Sequence, residues 1–222
     1  MDHKAVLLRM RWGLCAAAWI FLSVLAGFPA ISQAKDTLVV ALQGEPDDGF
    51  DPVMGWGRYG HPLFHSTLLT RDDDLRIIND LAVSHAVSPD SRLWSVAIRD
   101  DVVFSDGTPL TAEDVAFTYN KAKVTGGKAD LSSLDRAVAT SATTVEFRLK
   151  HPDSTFINRL ITLGIVPKHA YGDGYSRKPV GTGPFVMVSW VEGEQMISAF
   201  YTIDDEPEND VLRLGGFGST GL

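Results

Sequence analysis

WSVAIRDDVVFSDGTPLTAEDVAFTY, residues 94–119, carries more of the fold than any other stretch of this chain. Trp94, Val96 and Ile98 alternate with Ser95, Ala97 and Arg99, the period-two pattern of a strand with one apolar face. Asp106-Gly107 is a turn dipeptide, and Pro109 fixes the backbone just beyond it. Thr111 followed three residues later by Asp114 is a capping box, so a helix starts there. Val115, Phe117 and Tyr119 begin its apolar side, and the helix is expected to run to about Lys123.

Working outward, Thr37–Leu42 is a strand candidate that leads into Gln43-Gly44-Glu45-Pro46 and then Phe50-Asp51-Pro52. Gly55, Gly57 and Gly60 loosen the following loop, with Trp56, Tyr59, His61 and Phe64 set among them. Beyond the central block, Leu131 onward reads as helix or loop before a strand at Thr144–Leu149, then an apolar helix over about Thr155–Leu163. Pro179–Phe185 reads as a glycine-rich crossing into a strand over Phe185–Trp190.

These segments together resemble the extracellular solute-binding proteins of ABC importers that carry peptides, nickel and related solutes (solute-binding family 5). The family writes R-D-D-V-x-F-S-D-G-x-P-L-T-A-E-D-V-x-F, and Arg99–Phe117 follow it with little interruption. Its E-P and D-P pairs recur in the same order as Glu45-Pro46 and Asp51-Pro52, its short Y-x-x-L helix corresponds to residues 62–69, its L-A-x-S segment to Leu81–Ser84, its I-V-P-K-H strand exit to Ile165–His169, and its P-V-G-T-G-P to Pro179–Pro184. The resemblance implies an α/β fold of the type II periplasmic-binding-protein kind, of which residues 35–197 would be the N-terminal part of a two-lobe structure. It implies transport rather than catalysis, no cofactor, and a periplasmic location. The partners would be a small solute (an oligopeptide, a nickel complex or an opine) and an ABC permease in the inner membrane. Family members are typically more than twice as long. The alternative is therefore a truncated remnant that binds no solute. Residues 198–222 diverge from the family and are acidic, then glycine-rich over 215–221, so they are expected to form a disordered tail.

The first 34 residues have the layout of a secretory signal peptide. Lys4, Arg9 and Arg11 precede an apolar run from Trp12 to Phe28, and Ser32-Gln33-Ala34 supplies small residues for cleavage after Ala34. An uncleaved anchor is the other reading, although the run is at the lower edge of bilayer-spanning length. The lone cysteine, Cys15, lies inside this segment, so the exported part would carry no thiol into an oxidising compartment. The whole chain holds 20 basic and 28 acidic residues. Setting aside Lys4, Arg9, Arg11 and Asp2 leaves 17 against 27. So acidic a chain argues against nucleic acid or anionic lipid as a partner.

Several motifs invite chemistry and yield to plainer readings. His61 and His65 have the spacing of two ligands on one helix face, but Pro-Leu-Phe lies between them instead of a catalytic glutamate. Asp72-Asp73-Asp74 lacks the alternating oxygen ligands and central glycine of a calcium loop and reads as a solvated turn. Gly181-Thr182-Gly183 is followed by Pro184 and no helix, so it reads as a tight crossing whose glycines permit unusual dihedrals. No Gly-x-Ser-x-Gly element is present, and Glu113-Asp114 is explained by the helix start. No catalytic or metal site is expected. For ligand contact the best candidates are Trp56, Arg58 and Tyr59, aromatic and cationic groups joined by glycines. Trp56 packing the lobe is an equally good account of that residue.

Overall fold

The alternating block forms the spine of a four-stranded antiparallel sheet. The computed structural model describes residues 39–40, 46–57, 63–200 and 211–214. The elements in order are β1 (Val39–Val40), β2 (Leu69–Arg71), β3 (Ile77–Asn79), β4 (Ala82–Val87), β5 (Leu93–Ile98), α1 (Ala112–Thr125), β6 (Leu134–Ala139), β7 (Thr144–Leu149), α2 (Ile157–Thr162), β8 (Phe185–Val191), β9 (Gln195–Phe200) and β10 (Val211–Leu214). One sheet has the order β4-β5-β7-β6, a second the order β1-β10-β9-β8, and β2 and β3 form a separate hairpin. Residues 1–34 lie outside the described residues.

Alternation decides which way β5 faces. Trp94, Val96 and Ile98 are buried with Val145, Phe147 and Leu149 of β7, and Trp94 stands opposite Phe147 in the ladder. Helix α1 closes this face with Val115, Tyr119 and Ala122. Tyr119 meets the Phe147 ring edge-on at 4.6 Å, and its hydroxyl donates to the Arg159 carbonyl at 3.0 Å. Each such large side chain contributes about 1.5–3 kcal/mol through burial. At the helix start, the Asp114 carboxylate accepts from the Thr111 N–H at 3.0 Å and the Thr111 hydroxyl at 2.7 Å. At its end Gly126 takes φ 70, the left-handed cap that glycine adopts without strain.

Helix α1 also seals one edge of the sheet. The Asn120 side chain donates to the Ala137 carbonyl at 2.8 Å and accepts from the Ala137 N–H at 2.9 Å. It thus acts as a neighbouring strand would toward β6, and the Lys123 ammonium donates to the Asp135 carbonyl beside it.

Three segments depart from the sequence reading. Leu131 onward contains strand β6 rather than a helix. Residues 63–68 are turn and extended chain, not helix, because their backbone groups bond to segments distant in sequence. Ile165–His169 enters no sheet ladder. In addition, β9 continues past residue 197 to Phe200, and residues 211–214 pair with it as β10.

Candidate functional site

The glycine-rich crossing at 179–185 lies directly on the segment 63–66. Gly183 N–H donates to the Phe64 carbonyl at 3.0 Å. The Ser66 N–H donates to Thr182 Oγ1 at 3.3 Å, and the Ser66 hydroxyl to the Thr182 carbonyl at 3.2 Å. Ser105 N–H reaches the Gly181 carbonyl at 2.9 Å, so the central block grips the same crossing. The reason for glycine differs from the one its sequence suggests. Neither Gly181 nor Gly183 has positive φ. A Cβ on Gly181 would lie 1.9 Å from the Phe64 carbonyl oxygen, and one on Gly183 2.5 Å from that of Leu63. Close backbone approach, not dihedral freedom, excludes a side chain here.

Beneath the crossing runs a buried polar chain. The Tyr175 hydroxyl donates to the Val180 carbonyl at 2.7 Å, and His65 Nε2 lies 2.7 Å from the same hydroxyl. Because the tyrosine proton is used toward Val180, Nε2 is the donor in that contact. His65 is thus engaged from the crossing side, and His61 lies outside the described residues. The rings of Tyr171 and Tyr175 are 4.9 Å apart. The Tyr171 hydroxyl donates to Asp51 Oδ2 at 2.8 Å, while Asp51 Oδ1 accepts from the Val53 N–H. Burial pushes the Asp51 carboxyl above its ordinary range, and the Tyr171 and backbone donors only partly offset this.

The sign of the pH dependence follows. A carboxyl with a raised folded pKa is most favourable to folding while protonated, and that contribution is lost as pH rises through the folded value. Tyr171 stabilises the ionised form. Tyr171→Phe should therefore cost about 1.5–3 kcal/mol at pH 7, and less as pH falls through the Asp51 transition. Urea melts at neutral and acid pH check this, and an equal cost at both would contradict it.

The turn and helix of the central block hold the 165–169 segment. Asp114 Oδ1 accepts from the Lys168 N–H at 2.9 Å, and the Val166 N–H donates to Thr118 Oγ1 at 3.1 Å. Asp106 Oδ2 lies 2.7 Å from His169 Nε2. Burial acts to raise the Asp106 carboxyl, but its bonds with Thr108 and His169 outweigh this and hold it below the ordinary range. Thr108 Oγ1 also addresses His169 Nε2, at 3.1 Å. Hydroxyl and carboxylate thus meet the same ring nitrogen, whereas a nucleophile relay needs one on each. The cluster fastens the turn.

Of the residues predicted for ligand contact, Arg58 and Tyr59 lie outside the described residues. Trp56 is partly buried and packs edge-on against Phe50 at 4.7 Å. Phe50 also meets Phe64 at 5.4 Å and Trp190 at 4.9 Å, which makes a small second core with Met187 and Met196. Trp56 therefore packs as a core residue does. Its indole Nε1 is nevertheless buried without a hydrogen-bond partner among the described residues. Arg177 covers the outer side of this core, 4.2 Å from the Trp190 ring centre and 2.9 Å from Glu192. Tyr171, Tyr175 and His169 were missed in the sequence because Asp51, His65 and Asp106 lie 120, 110 and 63 residues away from them.

This arrangement is the α/β framework of type II periplasmic binding proteins. NikZ from Campylobacter jejuni in complex with Ni(L-His) superposes with a TM-score of 0.73 at 24% identity, over 82% of this chain and 39% of that one. AppA from Bacillus subtilis in complex with a nonapeptide gives 0.66 at 26%, over 80% and 40%. The sequence profile of bacterial extracellular solute-binding proteins, family 5 Middle, matches residues 76–199, and the chain belongs to that family. Protein XP55 of Streptomyces lividans is 34% identical over 74% of this chain and 32% of its own length. The probable D,D-dipeptide-binding periplasmic protein DdpA of Escherichia coli is 28% identical over 77% and 37%. The chain thus spans about a third of the length of these curated relatives.

Proposed function

We propose that this chain acts in the periplasm as the solute-binding component of an ABC importer, and that its solute is a peptide delivered to a membrane permease. The observation that carries this reading is the family match over residues 76–199. Peptides are favoured over nickel complexes and opines on sequence grounds. Relatives at 28–30% identity bear the names D,D-dipeptide-binding, oligopeptide-binding and glutathione-binding. The nickel-histidine and mannopinic acid complexes are 24% identical and speak to the fold alone, whereas a complex with agropinic acid at 27% keeps an opine as the second candidate. Trp56, Arg58 and Tyr59 would supply the contacts. Arg58 offers the planar donor fork that suits a peptide carboxylate, and Trp56 brings an indole N–H without a partner among the described residues.

A thermal-shift panel of dipeptides, oligopeptides, glutathione, nickel-histidine and opines tests this. A peptide at a hundredfold its dissociation constant should stabilise the protein by about 2.7 kcal/mol, and Arg58→Ala should abolish the shift. A response to nickel-histidine or opines alone would overturn the choice of peptide. Silence toward the whole panel would leave the non-binding remnant as the better account.

A further inference from the structure

The turn that leads into the candidate solute contacts hangs on one buried carboxylate. Residues 52–54 form a single 3₁₀ turn, and Asp51 Oδ1 accepts from its Val53 N–H at 2.8 Å. The Asp51 carbonyl accepts from the Gly55 and Trp56 N–H groups at 3.2 and 3.0 Å. Trp56 is thus fixed from Asp51, and Arg58 and Tyr59 follow it directly in the chain. With its other oxygen Asp51 accepts from the Tyr171 hydroxyl at 2.8 Å, across 120 residues. Tyr171 is itself set between the Phe117 ring at 5.5 Å and the Tyr175 ring at 4.9 Å. Gly127 packs on the same turn, where a Cβ would lie 2.0 Å from the Val53 carbonyl oxygen.

A carboxylate is more than a structural cap needs. Asp51 is only 5% exposed, and its bonds come from a tyrosine and backbone amides rather than from a cation. Burying a charge so costs folding energy, and asparagine or serine caps a turn as well. Asparagine, however, has a single acceptor oxygen. A carboxylate has two, so it serves Val53 and Tyr171 at once and ties the turn to the distant segment.

We propose that Asp51 and Tyr171 are positioning residues for the solute: the ionised carboxylate holds the 52–57 turn, and the contacts that follow it, in the shape that binds. This rests on the reading of Trp56, Arg58 and Tyr59 as solute contacts. Protonation weakens the hold, because charge-assisted hydrogen bonds are about twice as strong as neutral ones. Burial raises the Asp51 transition above the ordinary aspartate range, so the weakening begins at a higher pH than for an exposed aspartate. Solute affinity is therefore full while Asp51 is ionised and falls as pH drops through that transition. Several other ionisable groups surround the pair. Asp48 acts on Asp51 through its charge and lies 3.8 Å from Lys128. Lys121 stands 5.8 Å above the Tyr171 ring, and His65 is bonded to Tyr175. Asp51→Asn separates their titration from that of Asp51.

Amide exchange on the full chain reads the hold on the turn without any solute. In Tyr171→Phe the Val53, Gly55 and Trp56 amides should lose protection about tenfold relative to Ile98 of β5. Tyr119→Phe is the matched control, since it removes a tyrosine hydroxyl bonded to the Arg159 carbonyl instead. It should leave that ratio unchanged. Isothermal titration with trialanine and with glutathione reads the consequence. A peptide that binds the wild-type chain should bind Tyr171→Phe about tenfold more weakly at neutral pH, and Tyr119→Phe equally well. From about pH 7 to about pH 4 the wild-type affinity should fall, and the fall should be absent in Asp51→Asn. Unchanged protection at 53–56 overturns the proposal, as does a bound peptide indifferent to both Tyr171→Phe and Asp51→Asn. If neither peptide binds while the turn still loosens, the hold stands and the peptide reading is what fails.

Discussion

Gly181→Ala is expected to remove most of the stability of this chain. The added methyl would stand 1.9 Å from the Phe64 carbonyl oxygen and 2.8 Å from the His65 ring. Neither neighbour can yield cheaply. The Phe64 carbonyl accepts the Gly183 N–H, and the His65 ring is held against Tyr175. Relief requires the crossing to lift off residues 63–66, with loss of the two Ser66–Thr182 bonds. The cost should exceed about 4 kcal/mol, in the range reserved for severe overpacking. Gly107→Ala is the matched control. Gly107 has φ 85 and open space around it, so alanine there bears only backbone strain of about 1–2 kcal/mol. Urea midpoints of the two variants should differ widely. Near-equal midpoints would show that the crossing moves freely.

Asp114→Ala should be the most damaging change to a charged side chain in the central block. That carboxylate is buried and takes three donors: the N–H and hydroxyl of Thr111, and the Lys168 N–H. Losing a helix cap costs about 1 kcal/mol. Leaving the Lys168 N–H without its acceptor adds about 1–3 kcal/mol. The sum is roughly 2–4 kcal/mol, and Asp114→Asn should recover part of it. Amide exchange separates the two components, since the Lys168 amide should lose protection in the alanine variant well beyond what global destabilisation accounts for. Unchanged relative protection at Lys168 would reduce Asp114 to a simple cap.

The contrast between these positions shows what could be read from sequence. Thr111 and Asp114 were legible as a cap because their spacing is local and the chemistry follows from three residues. Strand β5 and helix α1 were legible for the same reason, one by period two and the other by its start signal. The second bond of Asp114, to Lys168 54 residues on, has no local sign. Gly181 was noticed for the wrong cause, since a sequence displays a glycine without the carbonyl that crowds it. Residues 62–69 were expected as helix because they look like a short helix of the family. In the fold their backbone is committed to Gly183, Thr182 and Asp80. Strand β6 was missed because Leu134-Asp-Arg-Ala-Val-Ala carries a bulge that breaks its alternation. Of the candidate ligand residues, Trp56 falls within the described structure, and its packing against Phe50 was one of the two roles its sequence context allowed.

The bonds that tie Asp51 to Tyr171, Ser66 to Thr182 and His65 to Tyr175 span 120, 116 and 110 residues. On a ribosome adding about 5–20 residues per second, the first-made partner in each pair waits roughly 6–24 s for the second. Val53 can already join Val115 and Tyr119 of α1 in the core, but these three bonds must wait, and contacts of such long range also form slowly once both ends exist. The bonds that lock the finished crossing are thus among the last to form, after the β4-β5-β7-β6 sheet, which lies wholly within residues 82–149, has its full sequence.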